Sequence, residues 1–249
     1  MEGVHLYMGN QLSHYFIEDD SLPPDIQTFP YYFGAEKFMF TSDAGMFSPG
    51  HVDEASSLLL HTMPKRTGRF LDLGCGYGVI GIVMGKVYGL EVTMADSNGR
   101  ALRCAQQNCE ANQVKAQIIQ SDCFQNISQS FDTIALNPPI HAGKAVMYAM
   151  YEGAYAHLNA GGRFYVVIQK KHGAESTVKN ANGDFSITVI RFIKRKGIIS
   201  WPAQNNSYRI TYCLTNTTVS SSGILTKFVC SSCSTIAQGW RVINCSAKF

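Results

Sequence analysis

Strand-like and helix-like segments alternate along most of this chain, and this alternation restricts the fold more than any other feature. Such a pattern is typical of a parallel sheet whose strands are joined by crossover helices. We therefore predict an α/β fold between residues 69 and 193, with helices on both faces of the sheet. The predicted strands are residues 69–73, 91–95, 116–120, 131–136, 163–169 and 185–193, and the predicted helices are 78–87, 99–112 and 144–158, the last stopped by Gly161 and Gly162.

The segments on either side of this alternation have a different character. Residues 1–60 are predicted to form an N-terminal addition, with two short strands within 31–41 and a helix at 53–60. Residues 61–197 contain the α/β domain. Residues 198–249 contain no acidic residue and show no sustained hydrophobic period. We interpret them as an atypical tail, non-native or disordered, that does not pack as a domain.

The composition indicates a soluble protein of a reducing compartment. Hydrophobic residues make up 45% of the 249 positions, which is enough for a sizeable core. No apolar run approaches the roughly 18 residues that span a bilayer, and the N-terminus does not look like a signal peptide. Four of the eight cysteines lie within the α/β pattern, and Cys230 and Cys233 lack the further ligands of a zinc site. We expect a cytoplasmic protein that binds neither membrane nor metal.

The net charge of +3 is distributed unevenly along the chain. Residues 1–60 carry nine acids and one Lys, whereas residues 61–197 carry sixteen Lys or Arg and nine acids. Local clusters are therefore a better guide to nucleic-acid binding than the total charge. Lys144, Lys170 and Lys171 follow the ends of predicted strands, on the side where a substrate should arrive, and we infer that they contact phosphates. The sequence does not indicate an oligomeric state.

A glycine-rich segment, residues 72–78 (DLGCGYG), begins at the end of the first predicted strand. Glycines in this position let the backbone turn sharply and approach a ligand closely. Asp72 could there accept a hydrogen bond, directly or through water, from the ammonium group of an amino-acid moiety. A pyrophosphate site has no use for a negative charge in that place. We assign ligand binding to Asp72, Gly74, Cys75, Gly76 and Gly78.

The same segment offers two alternatives. Residues 76–81 also match the dinucleotide pattern G-x-G-x-x-G, although the match begins three residues beyond the predicted strand end. A NAD-dependent oxidoreductase therefore stays open, as does a glycine-rich turn without a ligand.

Two further acids follow predicted strands. Asp96 ends the second strand, where a carboxylate can accept both ribose hydroxyls of an adenosine. Asp122 follows the third strand, where a carboxylate can accept from the six-amino group of adenine, although a loop Asp that caps a turn is an equal alternative. Phe47, in the turn at residues 45–48, either covers the cofactor or lies in the core.

The sequence Asn137-Pro138-Pro139-Ile140 directly follows the fourth predicted strand. Two consecutive prolines remove two backbone donors and hold the chain extended. The Asn137 side-chain oxygen and the Pro138 carbonyl are thereby presented as acceptors in one orientation. An amino group that donates to both would have its nitrogen aimed in one direction, which suits methyl transfer from a sulfonium donor. We assign these four residues to catalysis, and Asn137 also to cofactor binding.

Five segments together resemble the bacterial methyltransferase small domain family, whose characterised members include small-subunit ribosomal RNA guanine-N2 methyltransferases. The resemblance covers roughly residues 12–197. The segments are residues 41–48 (TSDAGMFS), 72–78 (DLGCGYG), 120–122 (QSD), 137–144 (NPPIHAGK) and 167–176 (VIQKKHGAES).

This resemblance implies a Rossmann-like class I methyltransferase fold, with a mostly parallel seven-stranded sheet in the order 3-2-1-4-5-7-6 and an antiparallel last strand. It also implies S-adenosylmethionine bound by the Gly74–Gly78 loop, Asp96 and Asp122, with Asn137 and the following residues facing the target amine. Related enzymes acting on adenine or glutamine usually have an aromatic residue where this chain has Ile140, which fits the ribosomal RNA branch. The chain after residue 197 departs from the family, so the last strand stays unassigned.

The leading hypothesis is N-methylation of a guanine in small-subunit ribosomal RNA, with naked RNA or the small ribosomal subunit as the partner. The sequence leaves three alternatives open. In the first, the protein is an N-methyltransferase that acts on a protein glutamine or a small molecule. In the second it is a NAD-dependent oxidoreductase, and in the third it is an inactive cofactor-binding module.

Overall fold

The computed structural model describes residues 23–139, 143–169, 186–192, 213–220 and 223–230, which form ten strands and four helices. Each element is numbered here in chain order. The strands are β1 (Gln27–Phe33), β2 (Glu36–Ser42), β3 (Arg69–Leu73), β4 (Glu91–Asp96), β5 (Ala116–Gln120), β6 (Phe131–Leu136), β7 (Leu158–Gln169), β8 (Ser186–Phe192), β9 (Cys213–Ser220) and β10 (Gly223–Cys230), and the helices are α1 (Glu54–Thr62), α2 (Val79–Tyr88), α3 (Gly99–Asn112) and α4 (Lys144–Ala156).

The main sheet has the strand order β10-β9-β8-β7-β6-β3-β4-β5. Its five strands from β5 to β7 are parallel and follow the expected order 3-2-1-4-5, so the α/β prediction is confirmed. Beyond β7 the expected antiparallel neighbour is not observed, because β8 runs parallel to β7. The antiparallel pairs β8–β9 and β9–β10 then extend the sheet. Backbone groups at the open edge of β8 are thereby paired.

The strands β9 and β10 are the described parts of residues 198–249. Our interpretation of this segment as an atypical tail, and the domain boundaries at residues 60 and 197, stay predictions.

The helix α4 ends earlier than the sequence predicted. It stops at Ala156, and the backbone N–H of His157 closes the last turn by donating to the carbonyl of Gly153. The strand β7 begins at once with Leu158, so Gly161 and Gly162 lie inside a strand and do not stop the helix. A register irregularity opposite β6 accommodates them, with Gly161 at φ 76°.

The central strands β3, β4 and β6 and the second half of β7 are buried on both faces, in agreement with the predicted helices on either side. Alternate residues of one strand face opposite clusters, as Phe70 and Leu71 of β3 do. One cluster contains α1, α2, α3 and the β1–β2 hairpin, and the other contains α4. No helix within the described residues combines the length and the apolar character needed to cross a membrane.

The β1–β2 hairpin is attached to α3 by two asparagines. Their side chains form hydrogen bonds with the backbone of β2, as a neighbouring strand would. The Asn112 side chain accepts from Met39 N and donates to Met39 O, at 3.0 and 2.8 Å. The Asn108 side chain accepts from Thr41 N at 2.7 Å and donates to Thr41 O at 2.9 Å and to Tyr77 O at 2.8 Å. Asn108 therefore joins the hairpin both to α3 and to the glycine-rich loop.

Replacing Asn108 by Ala should lower the free energy of unfolding by about 2–4 kcal/mol, because three buried or partly buried backbone groups of Thr41 and Tyr77 lose their partner. Equilibrium urea unfolding measures this change. Gln106→Ala, on the exposed side of the same helix, is the matched control. Equal stability of the two variants would contradict the anchoring role.

Candidate functional site

The glycine-rich loop leaves the sheet at the carboxyl end of β3. The backbone N–H groups of Gly74 and Cys75 both donate to the carbonyl of Ala95 in β4, at 2.8 and 3.0 Å. Gly74 and Gly78 have φ 66° and 92°, a left-handed backbone that favours glycine, and Gly78 caps the N-terminus of α2. A Cβ placed on Gly76 would meet no atom within 4 Å, so the loop is open on that side.

Asp72 lies at the end of β3 with 1% of its surface exposed. Its Oδ2 accepts a hydrogen bond from Gly81 N in the first turn of α2, at 2.8 Å. Its Oδ1 is buried and has no hydrogen-bond partner among the described residues. Burial raises the pKa of Asp72 to about 7, against the effect of the Gly81 hydrogen bond and with a further contribution from the charge of Asp96. One buried acceptor beside the loop is thus left for a donor.

Asp96 lies at the end of β4, and its side chain contacts the glycine-rich loop. Its Oδ2 accepts from Gly76 N at 2.8 Å, and its Oδ1 accepts from Asn98 N at 2.9 Å. Burial raises its pKa, and these backbone hydrogen bonds oppose the rise. Each carboxylate oxygen has a second lone pair, so Asp96 can still accept from a ligand.

The thiol of Cys75 is packed inside the loop. It is buried and contacts the carbonyl of Gly76 at 3.5 Å. Burial raises its pKa well above the usual range. Cys75 can therefore serve a ligand through its backbone, whereas its neutral side chain faces the protein.

Asp122 lies in the turn after β5, next to the end of β4. Ser121 N donates to the carbonyl of Asp96 at 2.9 Å, which brings this turn to the same edge of the sheet. The Asp122 side chain is exposed, and its Oδ2 accepts from Gln125 Nε2 at 3.3 Å. The carboxylate thus has room for a ligand.

Asn137 follows β6 at this edge and is half-buried. Its Nδ2 donates to Asp53 Oδ1 at 3.1 Å and to Ser56 Oγ at 3.0 Å, both at the N-terminus of α1. Leu136, the residue before it, reaches the glycine-rich loop, because a Cβ on Gly74 would lie 3.9 Å from Leu136 Cδ1. The ends of β3 and β6 are therefore neighbours.

The two prolines after Asn137 differ in burial, since Pro138 is buried and Pro139 is half-buried. Among the predicted substrate-binding residues, Lys144 is the first residue of α4. Ile140, Lys170 and Lys171 lie outside the described residues. Within the parts of the chain that the structure describes, no three His, Cys, Asp or Glu side chains come together as metal ligands would.

Residues 43–53 connect β2 to α1 along this edge of the sheet. Asp43 forms a buried ion pair with Arg100 of α3 at 2.7 Å, and the Tyr77 hydroxyl donates to the carbonyl of His51 at 2.8 Å. Phe47 lies in this connection with 59% of its surface exposed, so it is not a core residue. The connection is thus attached to α3, to the glycine-rich loop and, through Asp53, to Asn137.

Sequence reasoning did not identify Asp53 and Ser56 as site residues. Asp53 is the first residue of the helix predicted at 53–60, and in the structure it is the N-cap of α1, where it accepts from Ala55 N and Ser56 N. That signal identifies a helix terminus and says nothing about a contact with a residue 84 positions later.

The parallel sheet with helices on both faces and the glycine-rich loop after its first strand identify a Rossmann-like methyltransferase fold. The structure aligns with the 16S rRNA N2 G1207 methyltransferase (RsmC) of T. thermophilus, solved in complex with AdoMet and guanosine, at a TM-score of 0.54 and 28% identity. The alignment covers 68% of this chain and 43% of that one. The profile of the methyltransferase small domain family matches residues 37–191, and the chain belongs to this family.

Two further relatives have similar sequences. The uncharacterized protein YbxB of Bacillus subtilis is 39% identical over 191 residues, which is 74% of this chain and 94% of that protein. Ribosomal RNA small subunit methyltransferase C of Vibrio cholerae is 38% identical over 128 residues, which is 49% of this chain. The match spans only 38% of the length of that methyltransferase.

The raised pKa of Asp72 makes stability depend on pH in a defined direction. The folded state binds the Asp72 proton more tightly than the unfolded state, so the free energy of unfolding should fall as pH rises from about 4 to 7 and the effect should be complete above that. A shift of about three pKa units corresponds to a change on the order of 4 kcal/mol.

Asp72→Asn should therefore remove most of this decline, and the variant should gain stability over the original protein at pH 8. Urea unfolding at a series of pH values measures both profiles. Asp25→Asn, which replaces an exposed carboxylate by an amide, is the control for the substitution itself. Parallel profiles for Asp72→Asn and the original protein would show that the pKa of Asp72 is the same in the folded and unfolded states.

Proposed function

We propose that this protein is a cytoplasmic S-adenosylmethionine-dependent N-methyltransferase that methylates N2 of a guanine in small-subunit ribosomal RNA. The observation that carries the proposal is the meeting of three features at one sheet edge. The open glycine-rich loop, the Asp96 carboxylate and the Asn137 carboxamide all follow neighbouring strands there. Membership of the methyltransferase small domain family supports the reaction class, and the guanosine bound by the T. thermophilus relative supports the substrate.

The residues at the loop fit S-adenosylmethionine. When bound, this cofactor supplies a methyl group activated by a sulfonium. Asp72 Oδ1, buried and without a partner in the described structure, would accept from the ammonium group, directly or through water. Asp96 would accept from the ribose hydroxyls and Asp122 from the adenine amino group. Gly74, Cys75, Gly76 and Gly78 would line the cofactor with their backbone.

The position of Asp72 disfavours NAD. A dinucleotide places a diphosphate beside the glycine-rich turn, and here Asp72 lies at the start of that turn. Its carboxylate would repel the phosphates but not a cation, whereas Asp96 suits the adenosine ribose of either cofactor. Mass spectrometry of the ligand retained by the purified protein distinguishes the two cofactors, and retention of NAD would contradict the proposal.

The target amine would be held by Asn137 and Pro138. Asn137 Oδ1 and the Pro138 carbonyl would accept its two hydrogens and orient its nitrogen. These acceptors would stabilise the positive charge that the nitrogen gains as its bond to the methyl carbon forms and the bond from that carbon to sulfur breaks. The nitrogen then loses one proton to water. Pro139 and Ile140 would provide apolar contact to the base.

The RNA itself would be recognised through its backbone. In the sequence, Lys144 follows β6, and Lys170 and Lys171 directly follow β7. Cationic side chains near the ends of these strands would contact RNA phosphates. A guanine within paired RNA must leave its helix to reach this site, whereas a loop guanine is accessible at a lower cost. Labelled methyl transfer to naked RNA, to small subunits and to total protein, with the product nucleoside identified by mass spectrometry, tests the substrate. Label found only in protein would overturn the RNA assignment.

Asn137→Ala should lower turnover about 10²- to 10³-fold, by analogy with the loss of one hydrogen bond that stabilises transition-state charge in a hydrolase. Cofactor affinity should fall much less than turnover, because Asp72, Asp96 and the glycine-rich loop stay in place. Methyl transfer to RNA and calorimetric titration of the cofactor measure the two quantities. Asn159→Ala, whose side chain donates to Asp132 at the opposite end of β6, is the matched control. Full turnover by Asn137→Ala would refute its assignment.

Asp96→Ala should instead weaken cofactor binding about 10- to 100-fold, because charge-assisted hydrogen bonds are lost. It also removes the partner of Gly76 N. Calorimetric titration measures the dissociation constant. Asp132→Ala removes a carboxylate that likewise accepts a backbone N–H, from Arg69 at 2.8 Å, but lies at the amino end of β6. Equal affinity in the two variants would contradict the role of Asp96.

A further inference from the structure

The N-terminus of α1 determines which atom of the Asn137 side chain is available to a ligand. Asn137 Nδ2 lies 3.1 Å from Asp53 Oδ1 and 3.0 Å from Ser56 Oγ. We infer that Asp53 and Ser56 are positioning residues, which hold the Asn137 carboxamide so that only its oxygen faces the target amine. This inference rests on the proposed function.

The carboxylate of Asp53 settles the orientation of the amide. An ionised carboxylate only accepts hydrogen bonds, so the group that faces it must be the NH2 of Asn137. The opposite orientation would place the Asn137 carbonyl oxygen against a negative charge. Both hydrogens of the amide are used by the two partners in α1, and its oxygen accepts no hydrogen bond from the described residues.

Asp53 and Ser56 are themselves held in place. The same Asp53 oxygen accepts from Ala55 N at 2.9 Å and from Ser56 N at 3.0 Å as the N-cap of α1. Ser56 is buried, with 7% of its surface exposed. The helix that carries them is anchored by Leu59 and Leu60, which are fully buried. Neither acceptor can therefore follow Asn137 if the amide rotates.

This arrangement has a consequence for specificity. A fixed acceptor at Asn137 favours substrates that present an amino group and disfavours those that present a carbonyl in the same place, because two facing oxygens would be left without a hydrogen. Guanine N2 and other exocyclic amines satisfy the site. The N-terminal addition thus takes part in substrate selection, although its own residues need not contact the substrate.

Two substitutions separate positioning from helix capping. Ser56→Ala removes one partner of Asn137 and leaves the Asp53 cap intact. Asp53→Ser keeps a good N-cap residue but is too short to reach Asn137. Ser57→Ala is the matched control, because Ser57 lies in the same turn and contacts Tyr31, at 3.3 Å, instead of Asn137.

Steady-state methyl transfer to RNA should show kcat lowered about tenfold by Ser56→Ala and about 10- to 100-fold by Asp53→Ser. The dissociation constant of S-adenosylmethionine and the melting temperature should stay at the values of Ser57→Ala. In the Asn137→Ala background, Ser56→Ala should cause no further loss, because its effect passes through the amide that is missing. Unchanged kcat in both variants, or the same loss with and without Asn137, would overturn the positioning role.

A spectroscopic measurement separates this inference from the proposed function. The side-chain NH2 resonances of Asn137, identified by their absence in Asn137→Ala, should shift in Ser56→Ala and Asp53→Ser and stay in place in Ser57→Ala. This holds whether or not RNA is methylated. Absence of methyl transfer by the original protein would contradict the proposed function, and unshifted resonances would contradict the positioning role.

Discussion

The backbone hydrogen bonds from Gly74 and Cys75 to the carbonyl of Ala95 are the interaction on which the site depends. They continue the pairing of β3 with β4 for two residues beyond β3 and hold the glycine-rich loop against the end of β4. Because the strands are parallel, their carboxyl ends meet at one edge. Asp96 can then accept from Gly76 N, and the end of β6 comes within contact of Gly74. The residues proposed for cofactor and substrate binding are neighbours for this reason.

The buried carboxylate of Asp72 carries a hydrogen-bonding group that the fold itself does not use. One oxygen stabilises the N-terminus of α2 through Gly81 N, but the other has no partner within the described residues. A buried acceptor without a donor costs free energy, and an apolar side chain of similar volume would avoid that cost. Its presence beside an open glycine-rich loop agrees with the proposed function, in which a cationic ligand completes the hydrogen bonding. The same burial keeps the pKa of Asp72 near 7.

The β1–β2 hairpin and α1 belong to the site as much as the sheet does. Asn108 ties the hairpin to α3 and to the glycine-rich loop, and Asn137 ties the sheet to α1. Residues that precede the α/β domain therefore pack against the carboxyl edge of the sheet. The sheet supplies the groups proposed to bind the cofactor and the amine, and Asp53 and Ser56 at the start of α1 accept hydrogen bonds from one of them, Asn137.

The hydrophobic periodicity and the positions of the glycines were sufficient to predict much of the secondary structure and the glycine-rich loop. The bounds of β3, α3, β5 and β6 are those predicted, because buried strands and amphipathic helices are local patterns. Asp72, Asp96 and Asn137 could be singled out because each is at or directly after a strand end. Only the tertiary structure decided that Asn137 pairs with Asp53 and Ser56, more than 80 positions earlier, and that β8 lies parallel beside β7. Such contacts depend on how distant segments pack, and a local pattern carries no information about them.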